Sequence, residues 1–335
     1  MTAPAKWRAI VGKGAALAAA NALAVVLLAP MASTAEGQKT VVLLTPAAGT
    51  NPTDDVLAKA LQNHGWAQNK NVRIETRHWG GNVDTLQRFV AEIVTLKPDV
   101  VVAWGPQGAH ALKRATSKIP IVFLTSFTDA VEVGLVANVA RPGANITGVS
   151  VFGTEMDAKR LQLLKEVVPS VQRVALLGTR EQSVSVERKS KLVATAREFK
   201  LDVIEEDVES PTALEAAIAR LRQRSAQALY VWPTGITFSY GPDIARFALA
   251  QGLPSVHGYS ESALAGGLLS YAPPLDDVAR RGALYVDRIL RGAKPADMPI
   301  EQPSKIEFIV NQRSARALGL AIPQNALLRA DRVVE

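Results

Sequence analysis

The stretch that most restricts the fold runs from Lys97 to Asp129, KPDVVVAWGPQGAHALKRATSKIPIVFLTSFTD. Residues 100–103 and 119–124 are continuous apolar runs of the kind found in strands buried on both faces. Between them Pro106 follows Trp104-Gly105. Its fixed φ and missing N–H suit the first turn of a helix, which the pattern predicts over 106–117. The unit is β-α-β, and it delivers Trp104, Gln107, Ser126, Phe127 and Asp129 to one edge of a parallel sheet. The carboxyl edge of such a sheet is where ligands bind, so a binding site is expected there.

The same alternation fills the chain. Strands are predicted at 40–44, 72–76, 146–151, 173–177, 201–205, 228–232, 255–258, 267–271 and 306–310. Helices are predicted from Pro52 to about Gly65 and at 84–95, 131–140, 155–167, 184–199, 211–224, 241–251, 276–291 and 312–318. Asn51 and Pro52 open the first helix as cap and first residue, with Asp54 and Asp55 favoured by its dipole. The fold class expected is α/β: two doubly wound parallel-sheet lobes joined by a hinge that the chain crosses more than once. Residues 36–148 plus 270–300 form lobe 1, and 149–269 plus 301–335 form lobe 2. Two such lobes suggest a clamp that closes on a ligand.

Composition narrows the class. At 335 residues and 48% apolar content the chain can build a sizeable core. Three of its seven net positive charges, Lys6, Arg8 and Lys13, precede any acidic residue. The remaining charges are scattered, with no basic run interleaved with aromatics, so nucleic acid is not an expected partner. The positive start, an apolar stretch over 14–29 and Ser33-Thr34-Ala35 read as an export signal peptide, cleaved near Ala35. The mature chain is then exported. The absence of cysteine removes disulfides, thiolate metal sites and a cysteine nucleophile. His64, His78, His110 and His257 form no metal-binding pair. No nucleophile elbow, phosphate-cradling loop or dinucleotide fingerprint occurs. No metal and no cofactor are expected, and no catalytic residue is assigned.

Several segments carry a resemblance: Ala158-Lys159-Arg160-Leu161 through Glu166, Ala140-Arg141-Pro142-Gly143-Ala144-Asn145-Ile146-Thr147-Gly148-Val149-Ser150, Ala265-Gly266-Gly267-Leu268-Leu269-Ser270-Tyr271, and Tyr285 through Gly292, Lys294-Pro295 and Glu301-Gln302-Pro303. The chain resembles, over nearly all of its mature length, the ABC-transporter substrate-binding proteins typified by tryptophan- and tyrosine-binding members. The resemblance implies a type I periplasmic binding fold, a small-molecule ligand in the interlobe cleft and an ABC permease in the inner membrane as partner. It places the protein in the periplasm as a monomer. The chain departs from the family's usual turns at Trp104-Gly105-Pro106-Gln107 and at Asp129-Ala130, both at the expected site.

Aromatic residues are only 5% of the chain, yet Trp104, Phe127, Phe152, Trp232, Tyr259 and Tyr271 fall at predicted strand ends. Flat rings there would stack on a planar ligand; packing of the hinge is the alternative. The turns at Gly105 and at Asn51 offer helix N-terminal N–H groups to an anion, or are ordinary caps. Arg180 is placed to clamp a carboxylate, or is a solvated loop residue. Asp129 and Glu261 are placed to take an ammonium, although Asp129 can equally cap a helix. With Thr45, Pro46, Ser126, Ser150 and Thr234 from neighbouring strand ends, these make the expected pocket. An aromatic amino acid or aromatic carboxylate is the expected solute, with a branched aliphatic acid or amide next. The alternatives are an exported α/β enzyme using Asp129 and Glu261, and an exported ligand sensor.

Overall fold

A computed structural model describes residues 37–126, 130–150, 153–179, 186–208 and 210–335, apart from the side chains of Thr125, Ser126, Val186 and Pro211. The leader lies outside the described residues. Among those described, no helix is long and apolar enough to cross a membrane.

The first sheet contains β1 (Lys39–Thr45), β2 (Val72–His78), β3 (Val100–Trp104), β4 (Ile121–Ser126) and β5 (Ile146–Ser150) in the order β2-β1-β3-β4-β5. All pairs are parallel. The apolar run of β3 is wholly buried, as its composition requires, and β2, with Arg73, Glu75 and Arg77, is the half-exposed edge. Helices α1 (Pro52–Asn63), α2 (Val83–Leu96) and α3 (Gly105–Ala115) connect the strands. Leu86, Val90 and Ile93 form the buried face of α2. Residues 131–140 form turns instead of the expected helix. Gly134 adopts a positive φ of 69°, and the N–H groups of Leu135 and Val136 both return to the Ala130 carbonyl, so no helical ladder starts.

The second sheet is built by α4 (Gly153–Val167), β6 (Arg173–Gly178), α5 (Val186–Glu198), β7 (Asp202–Asp207), α6 (Leu214–Gln223), β8 (Ala228–Val231), α7 (Gly235–Ser239), α8 (Gly241–Ala250), β9 (Ser255–His257), α9 (Ser260–Leu264) and β10 (Leu269–Ala272). After α10 (Leu275–Leu290) come β11 (Glu307–Asn311), α11 (Gln312–Ala317), α12 (Gln324–Arg329) and β12 (Arg332–Val334). The order β12-β11-β10-β9-β8-β6-β7 repeats the first sheet's pattern in its β7-β6-β8-β9-β10 portion; β11 joins antiparallel at β10. Residues 270–272 thus pair in the second sheet, while α10 buries Val278, Ala279, Ala283 and Val286 in the core of the first. The short helices α7, α9 and α12 and the strand β12 carry no periodic signal long enough to read from the sequence.

The chain passes between the sheets after Ser150, after Ala272 and before Glu307. The segments that carry the family resemblance meet there. Gly143 N–H donates to the Ala296 carbonyl (3.1 Å) and Thr147 Oγ1 to the Met298 carbonyl (2.8 Å). Ser150 N–H donates to Glu301 O at 2.9 Å, and Tyr285 Oη to Pro299 O at 2.5 Å. Gly148 has φ 154°, and a Cβ on it would lie 1.9 Å from the Phe123 carbonyl oxygen, so this strand can lie against β4 only as glycine.

A buried polar cluster ties the second sheet to its crossing. The Asp157 carboxylate accepts from Arg188 Nε (2.7 Å) and Nη2 (2.9 Å), Arg160 Nη1 (3.2 Å) and Tyr230 Oη (2.6 Å). Arg160 Nε donates to the Tyr271 carbonyl at 2.9 Å. Removing one partner of a buried ion pair leaves the other charges without compensation. Asp157→Ala is therefore expected to lower stability by about 3–5 kcal/mol, read as a lower midpoint in urea unfolding. A loss below about 1 kcal/mol, the level of an exposed pair, would show that the cluster is not structural.

Candidate functional site

In each sheet the strand order reverses at one point, between β1 and β3 in the first and between β6 and β8 in the second. Clefts at such points take ligands. In the first lobe, the loop after β1 and the start of α3 sit at this place. The Thr45 hydroxyl, fully buried, accepts from Ala47 N–H at 3.3 Å and from Asn51 Nδ2 at 3.5 Å, which folds the loop back on itself. Asn51 caps α1 as expected, its Oδ1 accepting from Thr53 N–H (3.3 Å) and Thr53 Oγ1 (2.6 Å). That cap occupies a donor which the turn was expected to offer an anion. Helix α3 has no side-chain cap, so its first turn faces the cleft without one.

In the second lobe, Thr234 and Thr237 close a capping box on α7, and Thr237 Oγ1 donates to the Trp232 carbonyl at 2.5 Å. This fixes a five-residue helix that meets the first lobe. Gly235 lies against Trp79 and Gln107: a Cβ there would fall 2.6 Å from the Trp79 ring and 3.0 Å from Gln107 Oε1. Gly81 packs on Ile236 in the same way, and Ser239 Oγ donates to the Pro46 carbonyl across the cleft.

Two spaces lie between these walls. The smaller, about 10 Å³, is bounded by Pro46, Trp104–Gln107, Thr234, Gly235, Phe238 and Tyr259; it has room for about one water. The larger, about 320 Å³, is lined by residues 47–53 and Leu275 and Asp276 on one side. Phe238, Ser239, Pro242, Tyr259, Glu261 and Ser262 line the other. Phe238 and Tyr259 belong to both spaces and meet edge to face, with ring centroids 5.1 Å apart. The volume lies within the range of small-molecule sites, about 300–1,000 Å³.

Of the residues expected at the pocket, Pro46, Asn51, Trp104, Gly105, Gln107, Thr234, Tyr259 and Glu261 line these spaces. Thr45 lies beneath them. Trp232 stands behind the wall: it is 2% exposed, with the Arg188 guanidinium over its ring at 4.8 Å and Tyr230 edge-on at 6.5 Å. Ser150 and Tyr271 sit at the crossings between the sheets. The backbone of Ser126 ends β4 beside Ser150. Phe127, Asp129, Phe152 and Arg180 lie outside the described residues.

Sequence reading missed Trp79, Phe238, Asp54 and Asp276. Trp79 directly follows β2, so the strand-end rule that selected Trp104 applies to it equally. Phe238 lies on a helix too short to show a period. Asp54 was read only as a dipole partner, yet it is buried, and its Oδ2 has no hydrogen-bond partner. Burial pushes its carboxyl up to about 7; the Trp104 indole and the Asn51 amide oppose the rise, and Asp55 adds to it. The Trp104 N–H is close enough to favour the charged form but lies outside hydrogen-bond geometry. Glu261 is exposed by surface area but enclosed by the cleft, and desolvation raises its carboxyl above the usual range, with Asp276 and Glu307 adding to this.

Residues 46–334 match the family described as ABC transporter substrate binding protein. The chain belongs to that family. This substrate-binding protein is 25% identical over 262 residues to the tyrosine-binding protein of Clostridioides difficile strain R20291, covering 78% of this chain and 75% of that relative. Its fold matches a conserved domain protein from Vibrio cholerae with a TM-score of 0.80 and 22% identity, covering 89% of this chain and 99% of that one. It also matches the ABC domain in complex with L-Trp from Streptococcus pneumonia, with a TM-score of 0.78 and 22% identity, covering 89% and 100%. The α/β architecture of type I periplasmic binding proteins follows, and the family is one of solute-binding proteins.

Two outcomes test the site. Gly235→Ala places a methyl where Trp79 now sits, and overpacking of this kind costs about 1–3 kcal/mol. The substrate-binding protein should then populate a wider, open arrangement, seen as a larger radius of gyration in solution scattering; an unchanged radius means that the ring yields. Asp54 holds its proton in the folded state up to about pH 7, whereas the unfolded chain loses it near the ordinary carboxylate value, so stability falls as pH rises through that window. Asp54→Asn should match the parent near pH 4 and exceed it at pH 8 by at most about 4 kcal/mol. An equal difference at both pH values in urea unfolding would remove Asp54 from the account.

Proposed function

We propose that this substrate-binding protein captures an aromatic amino acid between its lobes and presents it to the inner-membrane permease of an ABC importer. The observation that carries this reading is the chamber of about 320 Å³ walled by the edge-to-face pair Phe238 and Tyr259. A planar side chain entering there gains ring contacts of the kind worth about 0.5–1.5 kcal/mol each beyond burial. The uncapped first turn of α3, beside Trp104, supplies N–H groups for the ligand's carboxylate. The tyrosine-binding relative and the L-Trp complex support the same solute class.

The protein acts in the periplasm after removal of its leader, as a monomer. One lobe holds the solute first, and rotation about the three crossings brings α7 across it. The apolar walls of the cleft then exclude water.

The test is thermal unfolding of the mature protein with each amino acid and with aromatic acids. A true solute at a hundredfold excess over its dissociation constant adds about 2.7 kcal/mol, raising the midpoint for one aromatic class. Trp104→Ala, folded and assayed by calorimetry, should weaken that ligand by roughly 1–3 kcal/mol. A panel in which no aromatic compound shifts the midpoint overturns the solute assignment.

A further inference from the structure

A further cavity, of about 410 Å³, lies on the solvent side of α10, beside the segment that returns to β11. It is larger than the interlobe chamber and shares no lining residue with it. One wall is formed by Asp277, Arg280, Arg281 and Leu284, at the i, i+3, i+4, i+7 spacing of a single helix face. The opposite face of α10, with Ala279, Ala283 and Val286, is sunk in the core of the first sheet. The outer face of such a helix is ordinarily left open to water. Here Pro303 and Ser304 of the last crossing stand against it and turn the surface into a concavity.

The cavity combines two guanidinium groups with the apolar side chains of Val278, Leu284 and Pro303. Arg280 Nη2 donates to Asp277 at 2.5 Å, and Arg281 Nη1 pairs with Glu301, just outside the lining. Among the described residues these are their only hydrogen-bond partners, although each guanidinium carries five N–H donors. The Arg280 side chain is 56% exposed and that of Arg281 33%. Ion pairs of this kind contribute about 0–1 kcal/mol, so a second anion displaces either carboxylate at little cost. Arg288, four residues beyond Leu284 on the same face, is exposed and forms no ion pair among the described residues. Cations therefore outnumber Asp277 on this face. A phosphate monoester carries about −1.5 to −2 charges at neutral pH, and its oxygens accept parallel N–H bonds from a guanidinium. Two arginines match that charge. A bare inorganic anion leaves the apolar residues uncovered, whereas a cavity of this volume is within the range of small organic ligands.

We propose that this cavity is a second ligand site, taking an organic phosphate whose anionic end lies between Arg280 and Arg281 and whose apolar part covers Val278, Leu284 and Pro303. The proposal is independent of the solute-capture reading, because the two sites share no wall. Its place is the hinge. Glu301, the partner of Arg281, is also the residue whose N–H donates to Gly148 O and whose carbonyl accepts from Ser150 N–H in β5. An occupant that draws Arg281 away from Glu301 therefore alters the charge on one of the crossings about which the lobes turn. The same chemistry is offered by a free organic phosphate and by a lipid headgroup.

The experiment is calorimetric titration of the mature protein with phenyl phosphate and with inorganic phosphate, alongside flotation with vesicles of phosphatidic acid in phosphatidylcholine. The variants are Arg280→Gln, Arg281→Gln and, as a control for net charge, Arg313→Gln on α11; circular dichroism confirms that each is folded. Phenyl phosphate is expected to bind one to one and more tightly than inorganic phosphate. Loss of either cavity arginine should weaken it roughly tenfold, the worth of a hydrogen bond to a charged group, while Arg313→Gln leaves it unchanged. An equal loss in Arg313→Gln shows binding to the overall charge and overturns the site. Inorganic phosphate binding as tightly as phenyl phosphate overturns the organic ligand. If phenyl phosphate fails but the vesicles retain the protein, and Arg281→Gln releases it, the phosphate is a headgroup and the site stands. Failure of both probes overturns the proposal and leaves the solute reading untouched.

Discussion

The Asp157 carboxylate is the interaction on which the rest of this structure depends. It accepts from two guanidinium groups and a phenol in a site with almost no solvent: Asp157, Arg160, Arg188 and Tyr230 are each 3% exposed or less. Buried charges are tolerated only when they are paired and their remaining valences satisfied. That condition fixes α4, α5 and β8 relative to one another. The consequences run outward from there. Arg160 reaches the carbonyl of Tyr271, at the point where the chain leaves the second sheet for α10. Arg188 lies on Trp232, whose carbonyl holds Thr237 and with it the short helix facing the first lobe. One carboxylate thus sets both a hinge strand and a cleft wall.

The two walls meet with very little room, and small residues decide how close they come. Gly81 and Gly235 are the points where the opposite lobe's Ile236 and Trp79 rest. Two indole N–H groups, of Trp79 and Trp104, are buried there without hydrogen-bond partners among the described residues. Unpaired buried donors are unusual, at a cost of about 1–3 kcal/mol each.

The fold was largely legible in the sequence because the signals that encode it are local. Val100–Trp104 and Ile121–Leu124 are apolar enough to be buried on both faces, Pro106 marks a helix start, and Leu86, Val90 and Ile93 keep a helical period. The region 131–140 misled because its apolar residues, Leu135 and Val136, are buried as expected but by turns around Gly134 rather than by a helix. The site was legible only in part. Strand ends located Trp104 and Tyr259, yet the same rule sent Trp232 and Tyr271 to the wall and the hinge. Whether a strand-end residue faces the cleft depends on what holds it: here Arg188 covers the Trp232 ring, and Arg160 of α4 holds the Tyr271 carbonyl at the crossing. Those partners lie 44 and 111 residues away in sequence, and no local pattern announces them. Phe238, on a helix of five residues, could be found only from the fold.

The segments by which the family can be recognised and the residues that line the cleft are nearly disjoint, for a physical reason. Gly148 can be nothing larger against Phe123, Thr147 and Gly143 bond the returning segment 296–298, and Arg160 bonds the crossing at Tyr271. Each of these is a backbone-scale constraint on how two sheets are joined, and it is independent of what they enclose. The cleft residues face a chamber instead, where a change of ring or carboxylate alters contacts with a ligand and leaves the hinge untouched. Two solved structures at 22% identity share the fold with TM-scores of 0.80 and 0.78, as expected where backbone-scale contacts at the crossings set how the sheets are joined. The identity of the solute must therefore be argued from the walls themselves, from Phe238, Tyr259, Glu261 and Asp276.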